Sequence, residues 1–584
     1  MVALKLSAFG GEQPLIKPRL LPDTAAKEAI DVRLVNGALG PVNKPTKKAT
    51  VANKDHKTIY RHLGTWLSWA GHVHAAPGPV AQDRLYFTGD GAPKVRIGGV
   101  NYPLKVPRPS ARLTTSKTGT GSGDIQSRLY VYTFVTSFGE ESAPAPASAI
   151  VTWRPGQTIT LSDFQAAPAG RSITRQRIYR SQTGTTGTSF FLIADRAAST
   201  ADFVDNVAVD AFQEPLKTAS WSEPPDGLSG LIAMPNGMMA AFEGKNVYFC
   251  EPWHPHAWPE KYIMQVDSEV VGLAAVGGIL VVMTKAHPYL MSGGRPDAMR
   301  SEKLERSYPC INARSIVDLG YTVCYASHAG LVSVGIDGSV ALLTESLFSV
   351  EDWRALSPTT VLGGQLHGQY VLFYDTLHPD TGERDVGAMF LNTAGQPYIV
   401  RTSAKAAACY FDVAENVLYF KEAGSVIVLQ FDPPAGVPST LHWRSKEFWL
   451  TAPVSLGAIL VDAAPDISEE QIAAIKAEID RIVSENADLL AGGALDGELN
   501  ACPLNHFALN GDALQPVPRL ADFASVTIAV YADGELLQVL TRTGKIMRLK
   551  AGRKARCWEV GVSASREIEQ IVVASSVEEL KGIV

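Results

Sequence analysis

Four groupings in this sequence have the residue types and spacing to do chemistry. His72-Val73-His74 and His254-Pro255-His256 each set two imidazoles two residues apart. On a strand such a pair points to one face, where it could hold a transition metal. No carboxylate or cysteine cluster stands beside either pair in sequence, so surface or turn histidines are the expectation and no metal site is assigned. Trp66, Trp69, Trp253 and Trp258 are of the type that stacks on sugar rings, although such residues more often fill cores. Arg542, Lys545, Arg548, Arg553 and Arg556, with Lys550 and Lys554 between them, form the local positive cluster. If 545–549 is a strand, alternate residues share a face and make a patch for DNA or an acidic partner. A solvated face is the commoner role of such a run.

Catalytic motifs are missing from the pattern. There is no GxSxG elbow and no HExxH helix. Gly544-Lys545 is followed by Ile546 and has no upstream glycine of a phosphate loop. Gly119, Gly121 and Gly123 do not sit between a strand and a helix. The expectation is a non-enzymatic protein without a catalytic residue or a cofactor. Paired carboxylates of a glycosidase come together only in the fold, so a carbohydrate-binding or carbohydrate-degrading protein stands as the alternative.

The elements that must position these residues are mostly strands. With 50 Gly and 36 Pro the chain is heavily punctuated by turns, which favours many short strands over few long helices. A hydrophobic fraction of 46% supplies ample core. The 584 residues suggest three to four domains. A net charge of −6 lacks the basic excess of a protein that grips phosphates, yet suits a wall along which a polyanion slides. Cys250, Cys310, Cys324, Cys409, Cys502 and Cys557 form no CxxC pair and read as buried thiols in a reducing compartment. No signal peptide is apparent, and the apolar run 270–283 is too short to span a bilayer. Synthesis and folding in a cytoplasm are expected.

Residues 1–115 read as an N-terminal arm and the first β elements of a platform. Asp90-Gly91 favours a tight turn after 84–88, and 116–124 looks like a flexible loop. The stretch 128–136 alternates Leu129, Val131 and Val135 with Tyr130, Tyr132 and Phe134, the period of a strand. With 148–153, 157–161, 173–180 and 189–194 it predicts a fibronectin type III-like β-sandwich over 116–222. From 223 to 440 there are short apolar runs bounded by Gly, Asp or Asn (246–249, 278–283, 322–325, 330–334, 370–374, 416–420 and 425–429), whose units recur at about 40 to 50 residues; this predicts an irregular β-propeller-like platform, with an irregular β-sandwich or barrel array as the alternative. The region 441–584 reads as β with one long amphipathic helix, 467–490. Ile472, Ile475, Ile479 and Ile482 stripe that helix. Ser468 with Gln471 suggests a capping box, and Gly492-Gly493 a stop. The stripe packs either on its own β domain or on a neighbouring subunit. Strands are expected again at 525–531, 535–540, 545–549 and 555–562.

Three stretches carry a resemblance. The first is Leu21-Pro22-Asp23-Thr24-Ala25-Ala26 leading to Asn36-Gly37-Ala38-Leu39-Gly40-Pro41. The second is 130–146, with Gly139-Glu140-Glu141-Ser142 at its turn and Arg177-Ile178-Tyr179-Arg180 downstream. The third is His442-Trp443-Arg444-Ser445-Lys446-Glu447-Phe448, followed by 554–560 and 575–580. In this order they resemble the tail nozzle proteins of short-tailed bacteriophages, the tail tubular protein B family. The resemblance implies a structural virion protein in a sixfold ring at the tail tip. That ring would continue the DNA channel below portal and adaptor, retain the packaged genome and open for its ejection. The implied partners are further copies of itself, the tail adaptor, tail fibre or spike proteins, and double-stranded DNA passing without sequence-specific contact. The implied location is the virion, with the host cytoplasm before assembly. No residue is assigned to the channel gate.

Overall fold

A computed structural model of the chain describes residues 3–582 apart from 35, 185–186, 210, 212, 378–381, 383, 393–396, 435, 465–468, 492–514, 516 and 521–524. The protein is mainly β. Among the described residues one helix exceeds six residues, Glu469–Ala491. The chain divides into two compact units. Met1–Asp55, His328–Val332 and Leu342–Val584 make the first, and His56–Ser327 with Ser333–Ala341 makes the second. These boundaries differ from sequence boundaries at 115, 222 and 440, because N-terminal strands return to pair with strands about 400 residues later. Backbone pairing ignores chain distance once the loop is closed, since closure entropy grows only slowly with loop length.

The first unit is built on a ten-stranded sheet. Its order is Leu362–Leu366, Gln369–Leu377, Arg384–Asn392, Tyr398–Thr402, Ala26–Ile30, Leu441–Ser445, Ala555–Ala564, Val526–Ala532 and Glu535–Leu540. Phe448–Val454 pairs separately with Ala555–Ala564. Pairing is antiparallel except between Ala26–Ile30 and Tyr398–Thr402. A second, four-stranded sheet joins Ala3–Leu6, Ile568–Ala574, Ala458–Ala463 and Met547–Arg548. Trp443, Trp558, Ile528, Val560, Ile571 and Leu441 are buried together between strands of both sheets. A further four-stranded sheet takes Ala408–Asp412, Val417–Lys421 and Ile427–Gln430 from one region and closes with Thr46–Thr50 from the N-terminal arm.

The second unit is a succession of antiparallel meanders. The first comprises His74–Pro77, Arg84–Thr88, Lys94–Ile97 and Val100–Pro103. The next is Ser229–Ala233, Met239–Glu243, Asn246–Phe249 and Met264–Gln265. A third is Val270–Val276, Ile279–Thr284, Tyr289–Ser292 and Arg300–Lys303. Ser229–Ala233 packs against both His74–Pro77 and Val270–Val276, which in turn packs against Val317–Asp318. Each meander thus lays its first strand beside the first strand of the next, the blade-on-blade stacking of β-propellers. In the first unit Leu362–Leu366 and Ala408–Asp412 stack in the same way.

Between the first two of these meanders sits a β-sandwich. One sheet holds Thr114–Thr118, Thr158–Ser162 and Phe203–Asp205, and another Tyr130–Thr136, Ile173–Gly184 and Gly187–Ala197. Tyr130, Tyr132, Phe134, Ile159, Leu161 and Ile178 fill the core between them. The alternation in 128–136 had suggested two different faces, yet all seven residues of Tyr130–Thr136 are buried. Val131 packs on Tyr179 and Leu192 behind the sheet, with Phe190 and Leu216 beside them. The segment 116–124 is not wholly a loop, because Ser116, Lys117 and Thr118 pair with Thr160, Ile159 and Thr158. Their polar side chains suit a solvated edge strand, which composition does not separate from a linker. Asp90-Gly91 lies in a five-residue connection between Arg84–Thr88 and Lys94–Ile97, and not in a two-residue hairpin.

Candidate functional site

The three stretches that carry the family resemblance are far apart in sequence, and the fold brings the first and third together in the first unit. Ala26–Ile30 pairs with Leu441–Ser445, with Ala29 opposite Trp443. Leu441–Ser445 pairs on its other side with Ala555–Ala564, with Arg444 opposite Gly561. The Trp443 indole donates to the Gly10 carbonyl at 3.0 Å and meets the Phe9 ring edge-on at 5.0 Å. Asp23 accepts from the Lys446 ammonium at 2.9 Å. Phe448 lies opposite Trp558. Leu39 donates to and accepts from Ile568 across a bridge.

At the centre of this junction is Glu559, only 3% exposed. Its carboxylate takes Arg444 Nε at 2.8 Å and Lys27 Nζ at 3.5 Å. The Arg444 guanidinium also lies 4.3 Å from the centre of the Tyr531 ring. Ser445 Oγ accepts from the Val560 amide at 2.9 Å. Trp443, Arg444 and Ser445 therefore serve contacts between strands, while Leu21 and Ala26 also line a small pocket with Glu12, Lys27 and Arg401. Replacing Glu559 with Ala leaves two cations without their shared acceptor, both still partly solvated. The expected loss is about 1.5–3 kcal/mol, the range for hydrogen bonds to charged groups. A denaturant titration of E559A against the wild-type chain reads it, and an unchanged midpoint would show the junction to be indifferent to this charge.

The second stretch organises the sandwich. Glu141 accepts from Thr133 Oγ1 at 2.7 Å, Tyr179 Oη at 2.6 Å and Arg177 Nη1 at 2.9 Å. Glu140, beside it, accepts from Arg171 Nη2 at 2.6 Å and Arg84 Nη1 at 3.2 Å. The amides of Ser142, Ala145 and Ser148 bond to the carbonyls of Phe134, Tyr132 and Tyr130, so the chain after the turn runs alongside the strand before it.

The helix Glu469–Ala491 holds the isoleucine stripe. Ile475 and Ile482 are buried, and Ile472 and Ile479 are half-buried. Ile475 packs on Val437, with Ala474 and Ile479 beside it, so the middle of the stripe is covered by its own chain. Ser468 and Gly492-Gly493 lie outside the described residues, as does the Gln471 side chain of the expected capping box.

The basic stretch lies around two strands. Met547–Arg548 pairs with Ala458–Ile459, and Ala555–Ala564 begins at the end of the run. The strand expected over 545–549 is thus two residues long. Arg542, Lys545, Arg548 and Arg556 are exposed, whereas Arg553 is half-buried and pairs with Glu535 at 2.7 Å. The tight connection before it is Asp533-Gly534, with φ of 50° and 82°. Both positive values fit the two-residue hairpin loop that an Asp-Gly pair favours. Asp533 Oδ1 also accepts from the Arg556 and Cys557 amides at 3.0 and 2.9 Å. That Asp-Gly signal lay open in the sequence.

The histidine pairs differ from the strand picture. His254 and His256 flank a turn, where His254 is exposed and bonds to the Pro252 carbonyl. His256 is buried and its Nε2 lies 3.1 Å from the Glu141 carbonyl. His72 and His74 stack with ring centres 4.4 Å apart. Among the described residues no group of three or more His, Cys, Asp or Glu side chains is placed to hold a metal. Of the four tryptophans, Trp258 is buried, Trp66 and Trp69 are half-buried, and Trp253 is 56% exposed. Cys250, Cys310 and Cys324 are buried free thiols that burial pushes up to about 12. Cys502 lies outside the described residues. Among the described residues no helix is long and apolar enough to cross a membrane.

No protein-family model and no curated protein matches the sequence. Solved structures that match part of the chain include the AfRom2 CNH domain, at 10% identity over 45% of this chain and 80% of that chain with a TM-score of 0.24. The N-terminal domain of Nup159 is similar at 8% identity over 46% of this chain and 70% of that chain, also with a TM-score of 0.24.

Proposed function

We propose that this chain is a structural virion protein, the nozzle at the tip of a short bacteriophage tail. In this reading, copies form a sixfold ring that continues the DNA channel, retains the packaged genome and opens for ejection. The observation that carries it is the junction of Ala26–Ile30, Leu441–Ser445 and Ala555–Ala564. The first and third of the dispersed motifs that resemble the nozzle family meet there, joined around Trp443, Arg444 and Glu559. Two further features support it. The strongly ionic clusters around Glu559, Glu140 and Glu141 bind strands together, as in a load-carrying part. The net charge of −6 suits a wall that DNA passes without sticking. Adaptor, fibre or spike proteins are the partners in this reading. The chain acts in the virion and is stored in the host cytoplasm before assembly.

The exposed Trp253 favours a second reading, a carbohydrate-binding or carbohydrate-degrading propeller protein. Cryo-electron microscopy of the intact virion, averaged about the tail axis, separates the two. Six copies traced around a channel below the adaptor are the expected result. A tail tip built from another chain overturns the nozzle, and this chain found at the periphery favours the carbohydrate reading.

A further inference from the structure

At one end of the sandwich the strand 126–128 leaves to pair with 151–153, while Tyr130–Thr136 pairs with Ile173–Gly184. The parting opens a cleft of about 340 Å³, lined by Ile125, Gln126, Ser127, Arg128, Arg180 and Gln182 among others. That volume falls within the range of small-molecule sites, ~300–1,000 Å³. Two of its lining groups are arginines that are almost wholly buried, Arg128 at 4% and Arg180 at 7% exposure.

Both arginines lean on one carboxylate. Asp205 takes Arg180 Nη1 at 3.0 Å and Arg128 Nη1 at 3.4 Å. It also accepts from Tyr130 Oη at 2.7 Å and the Val207 amide at 3.1 Å. Arg180 spends further N–H groups on the Val207 and Ala208 carbonyls. Arg128 lies over the Trp153 ring, 3.5 Å from its centre, and reaches Gln126 Oε1 at 3.3 Å. Among the described residues two guanidiniums face one carboxylate, which leaves positive charge in excess among them. Among the described residues no carboxylate lines the cleft. A buried charge without a counter-charge is costly, and a ligand that supplies one is correspondingly favoured.

We infer that this cleft binds a small organic acid that carries hydroxyl groups, its carboxylate set against Arg128 and Arg180. A carboxylate brings one negative charge, which matches the excess, whereas a phosphate monoester brings −1.5 to −2. Its planar pair of oxygens also fits the guanidinium fork. Gln126, Gln182 and Ser127 supply uncharged donors and acceptors for hydroxyls, and Ile125 and Val209 offer apolar contact. This site does not depend on the nozzle reading.

Calorimetric titration of the full chain with glucuronate tests it, with glucose and inorganic phosphate as comparisons. Saturable binding of glucuronate and none of glucose is expected. Arg128→Gln should weaken binding at least tenfold. Ser127→Trp, at an exposed position, should fill the cleft without touching the charges and also weaken it at least tenfold. Should Arg128→Gln fail to fold, Ser127→Trp decides alone. Absence of saturable glucuronate binding, equal binding of glucose, tighter binding of phosphate, or full affinity in Ser127→Trp would each overturn the inference.

Discussion

Acidifying the protein from pH 7 to pH 5 should destabilise the His56–Ser327 unit by roughly 2 kcal/mol through His256 alone, because one pKa unit is worth about 1.4 kcal/mol. Burial is the main reason, and it holds the His256 imidazole down to about 3, helped by the positive charges of His254, Arg171 and Arg84. Among the described residues its Nδ1 has no hydrogen-bond partner. An unfolded histidine titrates near 6.5. Below that pH the unfolded chain takes up a proton that the folded one refuses, so stability is intact above about pH 6.5 and falls as the pH drops toward 3. Burial likewise lowers His74 to about 4. His72 is lowered to about 3 by burial and by its neighbours His74 and Arg314. Both residues are only half-buried, so each adds less than the buried His256. Denaturant midpoints measured at pH 7 and pH 5 should therefore separate clearly. In His256→Phe the separation should shrink by about the share assigned to that residue. Equal shrinkage from a change at the exposed His254 would place the titrating group elsewhere.

Truncating Trp443 to Ala should cost the first unit about 3–5 kcal/mol, the range for large-to-small changes at buried aromatic positions. Trp443 is 2% exposed and sits on a central strand, between Ala26–Ile30 and Ala555–Ala564. Its loss opens a cavity beneath Phe9 and leaves the Gly10 carbonyl without its donor. The N-terminal arm is held partly by that ring. Limited proteolysis of W443A should therefore cut within the first 30 residues well before the rest of the unit, and urea unfolding should show the lower midpoint. Trp443→Phe keeps most of the packing and should fall between the two. An arm as resistant as in the wild-type protein would mean that backbone pairing alone secures it.

Much of the local structure was legible because its signals are local. Strands at 84–88, 246–249 and 322–325 follow from apolar runs between turn residues, and they stand in the fold as Arg84–Thr88, Asn246–Phe249 and Thr322–Ala326. The helix follows from isoleucines at spacings of three and four, a period no strand can use. What the stripe touches was not legible, because the partner of Ile475 is Val437, in the connection between Ile427–Gln430 and Leu441–Ser445. Nor was the covering of both faces of Tyr130–Thr136, since alternation records two faces but not what lies on each.

By itself, then, the sequence determined the class and the punctuation: mainly β, broken often by Gly and Pro, with one long helix and no local catalytic motif. Tertiary structure alone decided the partnerships. It set Glu559 between Arg444 and Lys27, and it set one carboxylate, Asp205, between two arginines beside a cleft. It also left His254 in solvent and His256 buried, although their ring centres lie only 5.9 Å apart. The physical reason is range. Turn preference and hydrophobic period act over a few residues and are written in neighbours. Charge pairing, desolvation and packing act across whatever the chain brings within a few ångströms, and here that joins residue 27 to residue 559.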